Sequence, residues 1–131
     1  MANESMPSEN RDAPVAARVQ CPFCEIVAGR LPAAVVYEDD DVLAFRDIAP
    51  RAPVHVLVIP RRHLVSVMDL RDEEALLLAR IFSAIREVAR REGVAERGFR
   101  VVSNAGRDGG QTVGHLHLHV LGGRFMTWPP G

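Results

Sequence analysis

The stretch His115-Leu116-His117-Leu118-His119-Val120-Leu121 constrains this chain more than any other part of it. Polar and apolar side chains alternate with the two-residue period of a β-strand, so the three histidines share one face and Leu116, Leu118 and Val120 the other. Same-face neighbours on a strand stand roughly 7 Å apart, which lets a row of imidazoles act on one small anion. Directly before the row, Asn104-Ala105-Gly106-Arg107-Asp108-Gly109-Gly110-Gln111-Thr112 reads as a loop whose glycines allow main-chain N–H groups to turn toward a phosphate. One histidine on a strand is most simply a hydrogen-bonded structural residue. Three in alternation behind a glycine loop describe a site.

An imidazole is largely uncharged at neutral pH and is both a nucleophile and a leaving group, which suits a two-step displacement at phosphorus. The middle ring, His117, is the expected nucleophile. Its neighbours His115 and His119 can donate to the phosphate oxygens, and a main-chain carbonyl can fix its tautomer.

The rest of the chain supplies one small domain around that row. Residues 1 to about 18 are polar, broken by prolines and without periodicity, and read as a mobile tail. A short helix is expected over Pro22 to Ala28, with Gly29 ending it. Val35–Glu38 and Val42–Arg46 read as a hairpin about three aspartates, and His55 to Ile59 as a central strand with His55, Leu57 and Ile59 on one side. Asp72 to Arg91 has helical spacing, with Leu77, Ile81, Ala84, Ile85 and Val88 as its stripe. Leu78, Phe82 and Ala89 widen that stripe beyond what covering one sheet requires, which suggests a twin subunit. Strands are then expected at Phe99–Asn104 and His115–Leu121. Short links and only two helices argue for an antiparallel α+β sheet.

A net charge of −1 provides no basic field for nucleic acid or anionic membranes, so a small-molecule substrate is the default. No apolar run has the length of a membrane span or the form of a signal peptide, and residence in the cytoplasm is expected. Cys21-Pro22-Phe23-Cys24 provides too few cysteines for a disulfide framework. The pair resembles half of a zinc site to which His63 can add a third ligand. Two free thiols are the plain alternative, and a thioredoxin-type dithiol is disfavoured because no strand precedes the motif.

The triad, its glycine loop and the ending Gly122-Gly123-Arg124-Phe125-Met126-Thr127-Trp128-Pro129-Pro130-Gly131 occur together and in order. In this the chain resembles the histidine triad (HIT) superfamily of nucleotide hydrolases and transferases, and within it the histidine triad nucleotide-binding branch, the nucleoside phosphoramidases. The resemblance runs from about Cys21 to the C-terminus, placing a HIT domain at 19–131. It implies a five-stranded antiparallel sheet with one long and one short helix, and a homodimer with a continuous sheet. The implied activity is hydrolysis of adenosine or guanosine 5'-monophosphoramidates through a nucleotidyl-histidine on His117.

By the same resemblance His55, His115, His119 and Thr112 assist, Thr112 standing where relatives carry serine. Asn104, Gly110, Gln111 and Thr112 become phosphate and leaving-group contacts. Phe23, Ile26, Leu31, Phe45, Ile48 and Leu57 match the base pocket, Asp47 the ribose contact, and Trp128 a residue that crosses toward the partner's site. Some bacterial relatives with this cysteine pair hold zinc through both cysteines, the histidine here numbered 63 and the first triad histidine, His115. Catalysis itself requires no cofactor. Three other readings stay open: a dinucleoside polyphosphate hydrolase, against which the Trp128-Pro129-Pro130 ending argues, a nucleotide-binding regulatory or scaffold dimer, and a zinc interaction module.

Overall fold

The structure, a computed structural model, describes residues 21–131, so the tail expected over residues 1 to 18 lies outside the described residues. Helix α1 (Pro22–Val27) begins where Cys21 acts as its N-cap, the sulfur accepting the Cys24 amide at 3.2 Å, and Pro22 occupies the first turn, where no N–H is needed. Strands β1 (Val35–Glu38) and β2 (Val42–Arg46) form the expected hairpin. Asp39 closes its turn by accepting the amides of Asp41 and Val42, each at 2.8 Å. Then come β3 (Val54–Pro60), α2 (Ala75–Arg91), β4 (Phe99–Val102) and β5 (Leu118–Gly122). The strands make one antiparallel sheet in the order β1-β2-β3-β5-β4, with β3 central as its apolar faces require.

The two faces of the sheet have different tasks. On one, Val42, Ala44, Val56, Val58, Leu118 and Val120 pack against Ile81, Ala84, Ile85 and Val88 of α2. Burying each isoleucine there contributes about 1.5–3 kcal/mol, and this layer carries the fold. On the other, Leu43, Phe45, Leu57 and Ile59 meet Cys21 and Phe23 at the start of α1. His55 joins that second face, on the side of Leu57 and Ile59 as its spacing requires. The bidentate pair of Arg46 with Glu92, at 2.6 and 2.9 Å, ties the end of β2 to the residue that follows α2.

Several boundaries differ from those read in the sequence. Asp72–Glu74 forms a 3-10 turn, with the α-helix starting at Ala75; such tighter turns are common where a helix begins without a side-chain cap, as here. Ala89 belongs to the buried face of α2, while Leu78 and Phe82 remain exposed. Strand β5 begins at Leu118, so His115 and His117 precede the ladder although they keep its alternation. Proline is the reason. Extending the β3–β5 register would set Leu116 opposite Pro60, which has no N–H to offer, and the Leu116 amide donates instead to the Leu64 carbonyl at 2.6 Å. On the other edge β4 stops at Val102 and not Asn104, and the Ser103 hydroxyl donates to the His117 carbonyl at 3.1 Å.

Candidate active site

The His117 ring is buried, and its Nδ1–H donates to the main-chain carbonyl of His115 at 2.7 Å. That hydrogen bond leaves the lone pair on Nε2, the atom a nucleophilic histidine needs. Burial pushes the ring below the ordinary imidazole range, outweighing the carbonyl that favours its charged form, so His117 is neutral at pH 7.

A second chain of hydrogen bonds fixes His119. The Arg51 amide donates to Nδ1 of His55 at 3.0 Å, which requires the His55 proton to sit on Nε2. His55 Nε2 lies 2.9 Å from Nδ1 of His119 and donates to it, leaving His119 with its own proton on Nε2. Both rings are held below the usual range by burial, His119 down to about 4 because the neighbouring rings of His117 and His55 add to the effect. His55 is thus neutral, and its 3.5 Å approach to Asp47 is a polar contact between an N–H and a carboxylate. Asp47, His55 and His119 cluster closely enough to suggest metal ligands, but the Arg51 amide excludes it: neutral His55 cannot accept at Nδ1 and ligate through Nε2 at once. The rings of His117 and His119 stand 5.0 Å apart, centroid to centroid, one presenting a lone pair and the other a donor.

The expected base-pocket residues fall into two groups. Phe23, Phe45 and Leu57 are buried together, Ile26 packs on them, and Phe23 meets Phe45 at 5.4 Å and His117 at 5.3 Å, edge to face in both cases. An apolar wall therefore adjoins His117. Leu31 is exposed and Ile48 wholly so, at 100%, so neither is a core residue of the single chain. Asp47 Oδ1 accepts the Ala49 amide at 2.8 Å and Oδ2 faces His55.

The glycine loop is held together by its own hydrogen bonds. Gln111 is buried and fully committed: its amide nitrogen donates to the carbonyls of Val65 at 2.6 Å and Val113 at 2.9 Å, and its oxygen accepts the Gly106 amide at 2.9 Å. The Gly110 amide donates to Arg107, and Asn104 donates to the Gly109 carbonyl at 2.7 Å. These hydrogen bonds shape the loop. A side chain at Gly109 would place its Cβ 2.4 Å from the Ala105 carbonyl oxygen, so the tight fold of the loop depends on that glycine. Thr112 is exposed.

Cys21, Cys24, His63 and His115 converge beneath the row, their ligand atoms all within 4.8 Å of one another. His115 Nδ1 lies 3.3 Å from Cys21 Sγ and 3.6 Å from Cys24 Sγ, and His63 Nδ1 lies 3.2 Å from Cys24 Sγ. Tetrahedral zinc, with bonds of about 2.3 Å to sulfur and 2.0–2.1 Å to nitrogen, separates such atoms by roughly 3.5 Å. The donor set also fits: His115 Nε2–H donates to the Pro60 carbonyl at 2.9 Å, turning the Nδ1 lone pair toward the sulfurs. The hydrogen bond shared by the sulfurs holds the Cys21 thiol below its usual range and drives Cys24 above it.

A HIT-domain family model matches residues 28–126. The chain belongs to the HIT family. It is 49% identical over 109 residues to an uncharacterised HIT-like protein of Synechococcus elongatus, covering 83% of this chain and 95% of that one. It is 44% identical over 134 residues to the adenylylsulfatase HINT1 of Arabidopsis thaliana, covering 99% and 90%. Among solved structures it is similar to a HIT family hydrolase from Legionella pneumophila, with TM-score 0.83, 51% identity and coverage of 86% and 100%. A histidine triad nucleotide-binding protein from Candida albicans gives TM-score 0.72 at 29% identity, covering 84% and 83%. These likenesses place the chain in the histidine triad nucleotide-binding branch, as its sequence indicated.

The main-chain carbonyl expected to fix the His117 tautomer is that of His115, whereas three contributors have no mark in the sequence: the Arg51 amide, the Pro60 carbonyl and the Ser103 hydroxyl. Two of the three are main-chain groups, for which side-chain chemistry gives no signal. Arg100 is a further one, donating to the carbonyls of Met126 and Thr127 at 3.2 and 2.7 Å, with its guanidinium 5.9 Å from the Trp128 ring centroid.

Proposed function

We propose that this protein is a hydrolase of purine nucleoside 5'-monophosphoramidates acting through a nucleotidyl-histidine on His117. One observation supports the reading most directly: a neutral His117 with Nε2 unprotonated stands beside a neutral His119 whose Nε2 bears hydrogen. In the first step the Nε2 lone pair attacks the α-phosphorus, the phosphorus–nitrogen bond breaks, and its electron pair leaves with the amine, which gains a proton. Thr112 is the proposed relay of that proton. His119 donates to a phosphoryl oxygen, where charge accumulates in the transition state. In the second step water displaces the imidazole and releases the nucleoside monophosphate. The base rests against Phe23, Phe45 and Leu57, and the ribose hydroxyls are held by Asp47. Zinc on Cys21, Cys24, His63 and His115 is structural in this scheme, and the chain acts as a homodimer, joined through the β4 edge and the exposed Leu78 and Phe82.

The Arabidopsis adenylylsulfatase favours a second substrate, adenosine 5'-phosphosulfate, through the same intermediate. Sulfate leaves as an anion and needs no proton, so the two substrates make different demands on the site. Initial rates on adenosine and guanosine phosphoramidates, adenosine phosphosulfate and a diadenosine polyphosphate rank the readings. Rapid quench with label in the α-phosphate, then peptide mapping, tests the mechanism: label on His117 is expected, and label elsewhere or none refutes it.

A further inference from the structure

The thiol–imidazole cluster and the nucleophile share one residue. His115 points its ring into the cluster, 3.3 Å from Cys21 Sγ, while its carbonyl accepts from His117 Nδ1–H, nitrogen to oxygen 2.7 Å. A second link runs through α1. Phe23, between the two cysteines in sequence, meets the ring of His115 at 5.9 Å and that of His117 at 5.3 Å. Movement of the Cys21–Cys24 segment therefore reaches His117 by two routes, a hydrogen bond and a ring contact.

We propose that Cys21 and Cys24 form a redox switch on the alignment of His117: a peroxide-class oxidant joins them as a disulfide, and His115 and Phe23 transmit the change to the nucleophile. This deepens the reading of His117 as nucleophile and rests on it only for the effect on turnover. Cys24 is the partly exposed sulfur and Cys21 the buried one, so the oxidant meets Cys24 first. Its thiol takes one oxygen from hydrogen peroxide to become a sulfenic acid, the peroxide being reduced to water. The Cys21 thiolate then attacks that sulfur and expels hydroxide, which is protonated to water. Two electrons pass from the sulfurs to the peroxide, and any zinc they held is released as the divalent ion. The sulfurs already lie within 4.8 Å, so an S–S bond of about 2.05 Å needs side-chain rotation and little else.

The consequence follows from burial. His115 is 0% exposed, and its Nδ1 faces the sulfurs. A disulfide neither ligates a metal nor matches a thiolate as a hydrogen-bond acceptor, so oxidation leaves a buried polar nitrogen that the surroundings must rearrange to satisfy. The His115 main chain moves with its ring, and with it the carbonyl that fixes the tautomer of His117. The cysteines here regulate the site and exchange no electrons with a substrate, which distinguishes them from the dithiol of an oxidoreductase.

The test uses the full zinc-loaded chain, treated with hydrogen peroxide and then catalase. Released zinc is read with a chromogenic chelator, the disulfide by peptide mapping, and the His117 Nδ1–H by nitrogen-15 NMR, alongside the rate on an adenosine phosphoramidate. The expected result is a Cys21–Cys24 bond, zinc release, loss of the hydrogen-bonded His117 resonance and at least a tenfold lower rate, all reversed by dithiothreitol. In Cys24→Ser, which cannot close the bond, peroxide should leave the His117 resonance where it starts. Failure of the bond to form, or its formation with the His117 resonance unmoved, overturns the switch. A moved resonance with an unchanged rate supports the coupling and overturns the nucleophilic role of His117 instead.

Discussion

The main-chain amide of Arg51 donates to Nδ1 of His55 across 3.0 Å, and this one contact sets the protonation of a ring it never touches. Because His55 must carry its proton on Nε2, His119 must accept at Nδ1 and donate from Nε2. A loop amide thereby decides that the last histidine of the row presents an N–H at Nε2.

The first prediction is that His119 stays neutral far into acid. Its ring is held down to about 4 by burial and by its histidine neighbours, against 6.5 for a free imidazole. A folded value below the unfolded one means that neutral His119 favours the native state above pH 6.5, and that this contribution is lost as pH falls from 6.5 toward 4. Histidine C–H resonances followed by NMR, assigned with His119→Gln, should show one ring titrating near 4 in the ligand-free protein. Adding adenosine monophosphate should raise that value, since a bound anion favours the cation. Titration of His119 near 6.5 without ligand would refute the hydrogen-bond chain.

Removing the proposed nucleophile and removing its support should differ in degree. His117→Ala deletes the proposed bond-forming atom and should lower turnover on the order of 10⁴-fold or more, with nucleotide affinity within a few-fold of the native protein. His55→Gln breaks only the chain that orients His119, and a loss of about 10- to 100-fold is expected, the range usual for supporting partners. Single-turnover rates together with calorimetric binding of adenosine monophosphate separate the two effects. Equal losses would mean that His55 takes part in the chemistry directly.

Thr112→Ala distinguishes the two leaving groups. An amine departs only with a proton, and general acid assistance is worth about 10²- to 10⁴-fold, whereas sulfate departs unprotonated. The variant should therefore lose at least about 10²-fold on adenosine phosphoramidate while staying within a few-fold on adenosine phosphosulfate. Equal losses on both would move Thr112 from proton transfer to phosphate binding.

Zinc content follows from the convergence of Cys21, Cys24, His63 and His115. Protein purified without chelator or added metal should hold about one zinc per chain, and stripping it should lower the thermal midpoint, because binding to the native state alone stabilises it. Metal analysis and scanning calorimetry check this. Metal-free protein with both thiols freely titratable would leave the cluster as a thiol–imidazole network.

Periodicity made much of this legible before any coordinates. The two-residue alternation of the row put Leu116, Leu118 and Val120 into the core and the imidazoles on the other side, and the spacing from Ile81 to Val88 gave the buried stripe of α2. The beginning of β5 was not legible, because it depends on which residue of another strand lies opposite: Pro60, some 56 positions before Leu116, stops the ladder. The partners of Gln111 were not legible for a related reason: Val65 lies across the fold, and both side-chain N–H groups of Gln111 donate to carbonyls that hold the loop in place.

The last prediction concerns the chain end. Phe125 and Trp128 are 87% and 79% exposed in the single chain, large apolar surfaces that a stable protein ordinarily covers. Arg100, on the edge strand β4, holds the carbonyls of Met126 and Thr127 and lies over the Trp128 ring, which fixes the terminus beside that edge. An edge strand offers unpaired main-chain groups to a second copy, and joining two copies along β4 would bring each tryptophan toward its neighbour's site. Sedimentation at micromolar concentration should therefore show a dimer. Deleting residues 127–131 should change selectivity among leaving amines more than affinity for adenosine monophosphate, because the proposed base and ribose contacts all come from residues 23–57. A monomer by sedimentation would overturn the crossing, and unchanged selectivity in a dimeric truncation would remove Trp128 from the leaving-group side of the reaction.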